Sequence, residues 1–353
     1  MQSIKANDYY IYFNKEGFKK LNSWISENNY SKLFILVDEA TNEYCLPKLL
    51  PNLEIEIPIE IIEIESGEEM KNISNCIEIW SILSELGADR KSVVINLGGG
   101  VITDIGGFVA STFKRGIDFI NIPTTLLGMV DAAIGGKNGV DLGVLKNQIG
   151  VINAPKLVLI DTDFLETLPQ NQMKSGLAEM LKHGLIYDKS YWNQFKDLEV
   201  LNFDDLDQLI HRSVEIKNEI VCQDPTETGI RKSLNFGHTL GHAIESHFLE
   251  TAKPLLHGEA IAIGMILESY ISKEKNLLSI EEYFEIKSTL LAVFEKQIFT
   301  QKDIDAIVNF LIHDKKNEYG KVQFALIKKI GIIILNQFTD NDTIKNAFIE
   351  YKT

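Results

Sequence analysis

Twelve of the chain's 24 glycines fall between Gly98 and Gly150, and they begin where a strand-like run ends. Residues 92–97 (SVVINL) are β-branched and uncharged, and lead straight into Gly98-Gly99-Gly100-Val101-Ile102-Thr103-Asp104. Glycines between a strand and a helix let the backbone approach a pyrophosphate closely. The helix N-terminus adds N–H donors and the positive end of its dipole. A tight βα turn without a ligand accounts for three glycines equally well, and the segment lacks the G-x-G-x-x-G spacing. Its neighbours tip the balance. Pro123-Thr124-Thr125 follows a second strand, at the carboxyl edge where open α/β sheets bind ligands. Asp131, Gly135-Gly136-Lys137 and Lys146-Asn147 follow closely. Residues 98–150 hold four Lys/Arg and four Asp, so the segment is neutral within a chain of net charge −15. Lysine and asparagine beside paired glycines suit a phosphate, through point charge and backbone donors.

Apolar runs at 32–37, 92–97, 119–122 and 157–160, with an amphipathic stretch at 72–86, read as strands alternating with helix. That order implies a mostly parallel sheet. From residue 169 the period becomes helical, over 172–186, 203–221, 237–248, 258–272, 279–294 and 302–313, with a late hairpin at 321–335. The expected architecture is a Rossmann-like α/β dinucleotide-binding domain over 1–168 and a mainly α-helical domain over 169–353, divided at Pro169. A length of 353 residues accommodates both.

The excess of 50 acidic over 35 basic residues argues against nucleic acid or an anionic membrane as partner. Cys45, Cys76 and Cys222 are odd in number and far apart, which disfavours a disulfide framework and suits a cytoplasmic enzyme. The first residues lack a secretory pattern. No uncharged apolar run reaches the roughly 18 residues that span a bilayer.

Four of the seven histidines lie between His238 and His257. His238 and His242 share one face of a helix at i,i+4 spacing, and His257 opens the next helix. Two imidazoles and a carboxylate suit zinc with an open coordination position. Glu179 is the leading carboxylate, with Lys182 one turn on. Glu179/His183 and His238/His242 are rival pairs, and spacing does not choose among them.

At these residues the chain resembles the 3-dehydroquinate synthases, within the sugar-phosphate cyclase family. The matching stretches are GGGVITD (98–104), FKRG (113–116), PTTLL (123–127), GGK (135–137), KNQIG (146–150) and DTDFLETLP (161–169). They continue with SGLAEMLKHG (175–184), RKSLNFGHTLGHAIE (231–245), LHGEA (256–260) and DKKNEYG (314–320). The resemblance implies a dehydroquinate synthase-like fold, with NAD and a divalent metal, zinc or cobalt, as cofactors. Asp38, Glu68, Lys71, Gly99, Gly100, Val101, Asp104, Thr124, Thr125, Thr167 and Leu168 fall at its NAD positions. Glu179, His238 and His257 fall at its metal positions. Asp131, Lys137, Lys146, Asn147, Lys182, Lys217, Arg231, Asn235 and His242 fall at its substrate positions, and Asp131 and Lys146 also meet NAD. Of these, Lys137, Asn147, Lys182 and His242 are expected in catalysis.

Arg115 matches an arginine that reaches the neighbouring subunit's substrate phosphate, which implies a homodimer. One of Lys315 and Lys316 should meet the substrate. The implied reaction converts 3-deoxy-D-arabino-heptulosonate 7-phosphate, a phosphorylated sugar acid, to 3-dehydroquinate and phosphate. It proceeds by transient oxidation with NAD, phosphate elimination, re-reduction and aldol closure. Asn138, where the family favours Thr, and Leu145, where it favours Gly, depart from the pattern.

Overall fold

A computed structural model describes residues 1–143, 145–196, 203–249, 251, 253–311 and 322–353. Contacts divide the chain into Met1–Met173 and Lys174–Thr353. Among the described residues, no helix is long and apolar enough to cross a membrane.

The strands of the first unit are β1 (Ile4–Lys5), β2 (Tyr10–Phe13), β3 (Lys32–Asp38), β4 (Ile59–Ile64), β5 (Ser92–Gly98), β6 (Asp118–Pro123), β7 (Lys137–Leu142), β8 (Leu145–Ile152) and β9 (Leu157–Ile160). Its helices are α1 (Asn14–Glu27), α2 (Glu39–Tyr44), α3 (Leu46–Leu49), α4 (Ile73–Glu85) and α5 (Gly100–Thr112). Seven strands form one sheet in the order β1-β2-β9-β6-β5-β3-β4, parallel except at β1–β2. β5 is buried along its whole length, which is why its sequence reads as a continuous run and not an alternation. Its Asn96 is the exception. Its amide nitrogen donates to Asn121 Oδ1 at 2.9 Å, and Asn121 donates to Ala133 O at 3.2 Å, while Asn96 Oδ1 is buried without a hydrogen-bond partner.

Chain order leaves β3 for β4 on one side of the sheet, and leaves β5 for β6 on the other. The β3/β5 boundary is therefore a topological switch point, where such sheets bind ligands beyond the strands' carboxyl ends. Asp38 ends β3 and Gly98 ends β5 there.

β7 and β8 form a separate antiparallel hairpin packed on α5. The apolar pattern of the sequence predicts no strand over these residues. The strands carry Gly139 opposite Gly150 and expose Leu142, Leu145 and Ile152, so no buried apolar alternation announces them. Asn138 has a structural account. Its amide donates to Gly136 O at 3.0 Å and Asn153 O at 2.7 Å, closing the base of the hairpin behind Lys137. Nothing in the structure explains Leu145.

The second unit contains α6 (Gln170–Tyr187), whose first residues lie before the division, then α7 (Lys189–Asn193), α8 (Phe203–Gln223), α9 (His238–Phe248) and α10 (His257–Glu274). It ends with α11 (Ile280–Val293), α12 (Gln301–Leu311), the β10 (Phe324–Lys329)–β11 (Ile332–Gln337) hairpin and α13 (Asn341–Lys352). α10 is the central helix. Ala260 to Ser269 are all buried, with α9, α11, α13 and β10 packed around them. A helix apolar on every side belongs in a core.

Candidate active site

In the first unit, β5 and β6 end in register, Gly98 opposite Pro123. Thr124 donates its N–H to Gly98 O at 3.0 Å, which sets Thr124 and Thr125 against the glycine turn. A Cβ on Gly99 would stand 2.9 Å from Thr125 Cγ2, so a side chain there would displace the threonine. Gly99 is the N-cap of α5, and no side chain caps that helix. Gly100 and Val101 form its first turn. Asp38 ends β3 and accepts the Thr41 N–H at 2.8 Å.

A charged network lies nearby in sequence and space. Lys71 is buried and paired with Asp104 on α5. Burial alone would lower the Lys71 pKa, but Asp104 and Glu68 hold it above the ordinary lysine value. Lys146 meets Glu68 at 2.7 Å and Asp141 at 3.3 Å. Asp141, which the motifs did not single out, also accepts the Asn147 N–H at 2.6 Å. It holds Asn147 in the left-handed conformation, φ 52°. Replacing Asp104 with Ala should therefore strand a buried ammonium. We expect a loss of about 3 kcal/mol in the first unit, read as a lower urea midpoint, together with weaker NAD binding by calorimetry.

The remaining first-unit candidates are more dispersed. Asp131 is half-buried in the turn Gly128–Ala132, and Lys137 is exposed at the start of β7. Thr167 is exposed and Leu168 half-buried at the end of the short helix Thr162–Thr167. Arg115 is exposed, with φ 69°.

In the second unit three separate segments converge. One donor atom each from Glu179 on α6, His238 on α9 and His257 on α10 lie within 4.8 Å of one another. His238 Nε2 is 3.4 Å and His257 Nε2 is 3.7 Å from the same oxygen, Glu179 Oε1. Two ligands each about 2.0–2.1 Å from a tetrahedral zinc stand roughly 3.3 Å apart, so these spacings fit. The opposite ring nitrogens are held as well: His238 Nδ1 at 3.1 Å from Phe236 O, and His257 Nδ1 at 3.2 Å from Glu245 Oε2. Such partners fix the tautomer that turns the Nε2 lone pair toward a metal. The pocket also favours positive charge. Burial opposes the imidazolium of His257, yet Glu245 and Glu179 raise its pKa to about 10.

Of the rival pairs, Glu179 and His183 also offer donor atoms within 4.8 Å of each other. His183 Nδ1 meets Ser213 Oγ at 2.7 Å. The His242 ring lies 5.0 Å from that of His238 and 5.8 Å from that of His257. Its own possible metal group, with Glu245 and His257, reuses the carboxylate that orients His257.

Lys182 is buried and pairs with Glu179, and Lys217 is buried on α8. Buried Arg231 donates to Pro225 O at 2.6 Å, and Asn235 donates to Glu227 Oε1 at 2.6 Å. Asp224 organises the turn that carries them, accepting the N–H groups of Thr228, Gly229 and Arg231. Glu227, Asp224 and Glu245 were missed from sequence. Only Glu245 had a usable signal, seven residues beyond His238 on one helix face. Lys315 and Lys316 lie outside the described residues.

The N-terminal domain profile of 3-dehydroquinate synthase matches residues 61–175, and the C-terminal profile matches 176–317. A 3-dehydroquinate synthase from Parabacteroides distasonis is 41% identical over 340 residues, covering 96% of each chain. The chain belongs to the 3-dehydroquinate synthase family. Solved structures of other sugar-phosphate cyclases share the fold. A 2-deoxy-scyllo-inosose synthase complexed with carbaglucose-6-phosphate, NAD+ and Co2+ superposes with a TM-score of 0.88 at 25% identity, covering 99% of this chain and all of that one. The 2-epi-5-epi-valiolone synthase of Streptomyces hygroscopicus, with NAD+ and Zn2+ bound, gives 0.84 at 26% identity, covering 100% and 99%. The family thus agrees with the expectation raised by the motifs, and with the α/β and helical halves.

Proposed function

We propose that the chain is an NAD- and divalent-metal-dependent lyase that converts 3-deoxy-D-arabino-heptulosonate 7-phosphate to 3-dehydroquinate and phosphate. Family membership over nearly the whole chain supports the reaction. The observation that carries the site is the convergence of Glu179, His238 and His257, with both Nε2 atoms facing one carboxylate oxygen. When bound, NAD supplies reversible oxidation of the substrate C5, and the metal supplies an electrophile for the C5 oxygen.

The protein's own residues do the rest. Asp38, Glu68, Lys71, Gly99, Gly100, Val101, Asp104, Thr124, Thr125, Thr167 and Leu168 hold NAD, joined by Asp131 and Lys146. Glu179, His238 and His257 hold zinc or cobalt. His242 relays the C5 hydroxyl proton, with Lys182 and Asn147 placing the substrate at that end. Lys137 and Asn147 fix the phosphate, and Lys217 and Arg231 take the carboxylate and hydroxyls. Asn235 and one of Lys315 and Lys316 complete the substrate set. Arg115 reaches the phosphate of a second copy, in a cytoplasmic homodimer.

The test supplies metal-loaded protein with the heptulosonate phosphate and substoichiometric NAD, and follows inorganic phosphate and NADH absorbance. Many phosphates per NAD, with no lasting NADH, are expected. NADH accumulating without phosphate would point to a polyol or glycerol-phosphate dehydrogenase. No phosphate from folded, NAD- and metal-bound protein would reject this substrate.

A further inference from the structure

α9 carries His238 as its first residue, yet it starts without a cap of its own. Its N-cap is Gly237, in the left-handed conformation at φ 78°. The position has no room for a capping side chain, since a Cβ would stand 2.5 Å from Met265 Cγ and 3.1 Å from Ile261 O. Serine, aspartate or asparagine, the usual solutions, are excluded by that packing.

The neighbouring helix supplies the missing acceptor. Glu268, three turns into α10 and fully buried, accepts the Gly237 N–H at 2.7 Å through Oε2 and the Leu240 N–H at 3.1 Å through Oε1. These donors flank His238 on both sides along the chain. A fully buried carboxylate is costly unless donors and a positive dipole end compensate it, and the start of α9 provides both. We propose that Glu268 is a positioning residue for the metal centre: it caps α9 from α10 and so fixes where His238 presents Nε2. The carboxylate is needed because two N–H groups require two acceptors. A glutamine would offer one oxygen and turn its NH2 toward the other N–H.

The inference rests on the metal reading of Glu179, His238 and His257. Its test is Glu268→Gln in the full chain, with folding checked by far-UV circular dichroism. Zn2+ affinity is measured by chelator competition, and site geometry by the visible spectrum of the Co2+ form. Thermal unfolding is recorded with and without Zn2+, and NAD binding is measured separately. We expect Zn2+ affinity to fall about 10- to 100-fold, the Co2+ bands to shift, and the rise in Tm on adding Zn2+ to shrink. NAD binding should not change.

A folded E268Q with native Zn2+ affinity and an unaltered Co2+ spectrum would overturn the proposal, even if its metal-free Tm fell. If E268Q does not fold, Glu268→Asp is read in the same way. Failure of both to fold would make Glu268 a folding residue and overturn the positioning role. Wild-type protein that binds neither Zn2+ nor Co2+ would sink the metal reading, and this inference with it.

Discussion

Replacing His257 with Ala is expected to cost about a thousandfold in Zn2+ affinity and to reduce turnover to background. Structural zinc sites with four ligands bind with roughly 10–16 kcal/mol at neutral pH, so each ligand is worth several kcal/mol. His257 contributes more than its share. Its Nε2 faces Glu179 Oε1 at 3.7 Å, and its Nδ1 meets Glu245 at 3.2 Å. Removing the ring leaves Glu245 and Glu179 facing a gap that imidazole had bridged, and both carboxylates are buried. A metal restored by mass action would then be held by two protein ligands. Equilibrium dialysis with metal analysis checks the affinity, and phosphate release checks turnover. Retention of one tightly bound metal per chain with native turnover would rule out Glu179, His238 and His257 as the ligand set. His242, Glu245 and His257 would fall with them, since that group shares His257.

What could be read beforehand follows from how each feature is encoded. β3, β5, β6 and β9 are buried by sheet neighbours and covering helices, so each appears as a continuous apolar run. β4, an edge strand of sequence IEIIEI with Ile59 and Ile61 exposed, has no such run. The β7–β8 hairpin is glycine-rich and exposes much of its apolar surface, so its sequence carries no strand pattern. The glycine turn was legible because strand, glycines and helix adjoin in sequence.

The candidate metal group was legible only as residue types. Its members come from α6, α9 and α10, so i,i+4 spacing points instead to Glu179/His183 and His238/His242, and Glu179 and His183 also offer donor atoms within 4.8 Å of each other. Resemblance to a family named that set, and geometry brought its donors together. Glu268 had no signal, because its partners are backbone N–H groups that no sequence pattern displays.

Replacing Gly264 with Ala should damage both the stability of the second unit and turnover. A Cβ there would stand 1.9 Å from Gly237 O and 2.8 Å from Gly241 N. Real contacts of this kind begin near 3 Å, so α9 must move by about 1 Å from α10. Neither contact is the end of a flexible side chain that can swing away. Both are backbone, at the left-handed turn that starts α9. Overpacking a close-packed core costs about 1–3 kcal/mol and sometimes more, and a backbone clash belongs at the upper end. At roughly 2–4 °C per kcal/mol for a unit of this size, Tm should fall by about 6–12 °C.

His238 and His242 ride on α9, while His257 rides on α10, so the same displacement opens the metal group. A misplacement of about 1 Å costs on the order of a hundredfold in rate. Turnover in G264A should therefore drop at temperatures where the protein remains folded, and excess Zn2+ should restore metal content before it restores rate. Native turnover in a folded but less stable G264A would show that the α9–α10 crossing supports the fold without setting the geometry of the metal group.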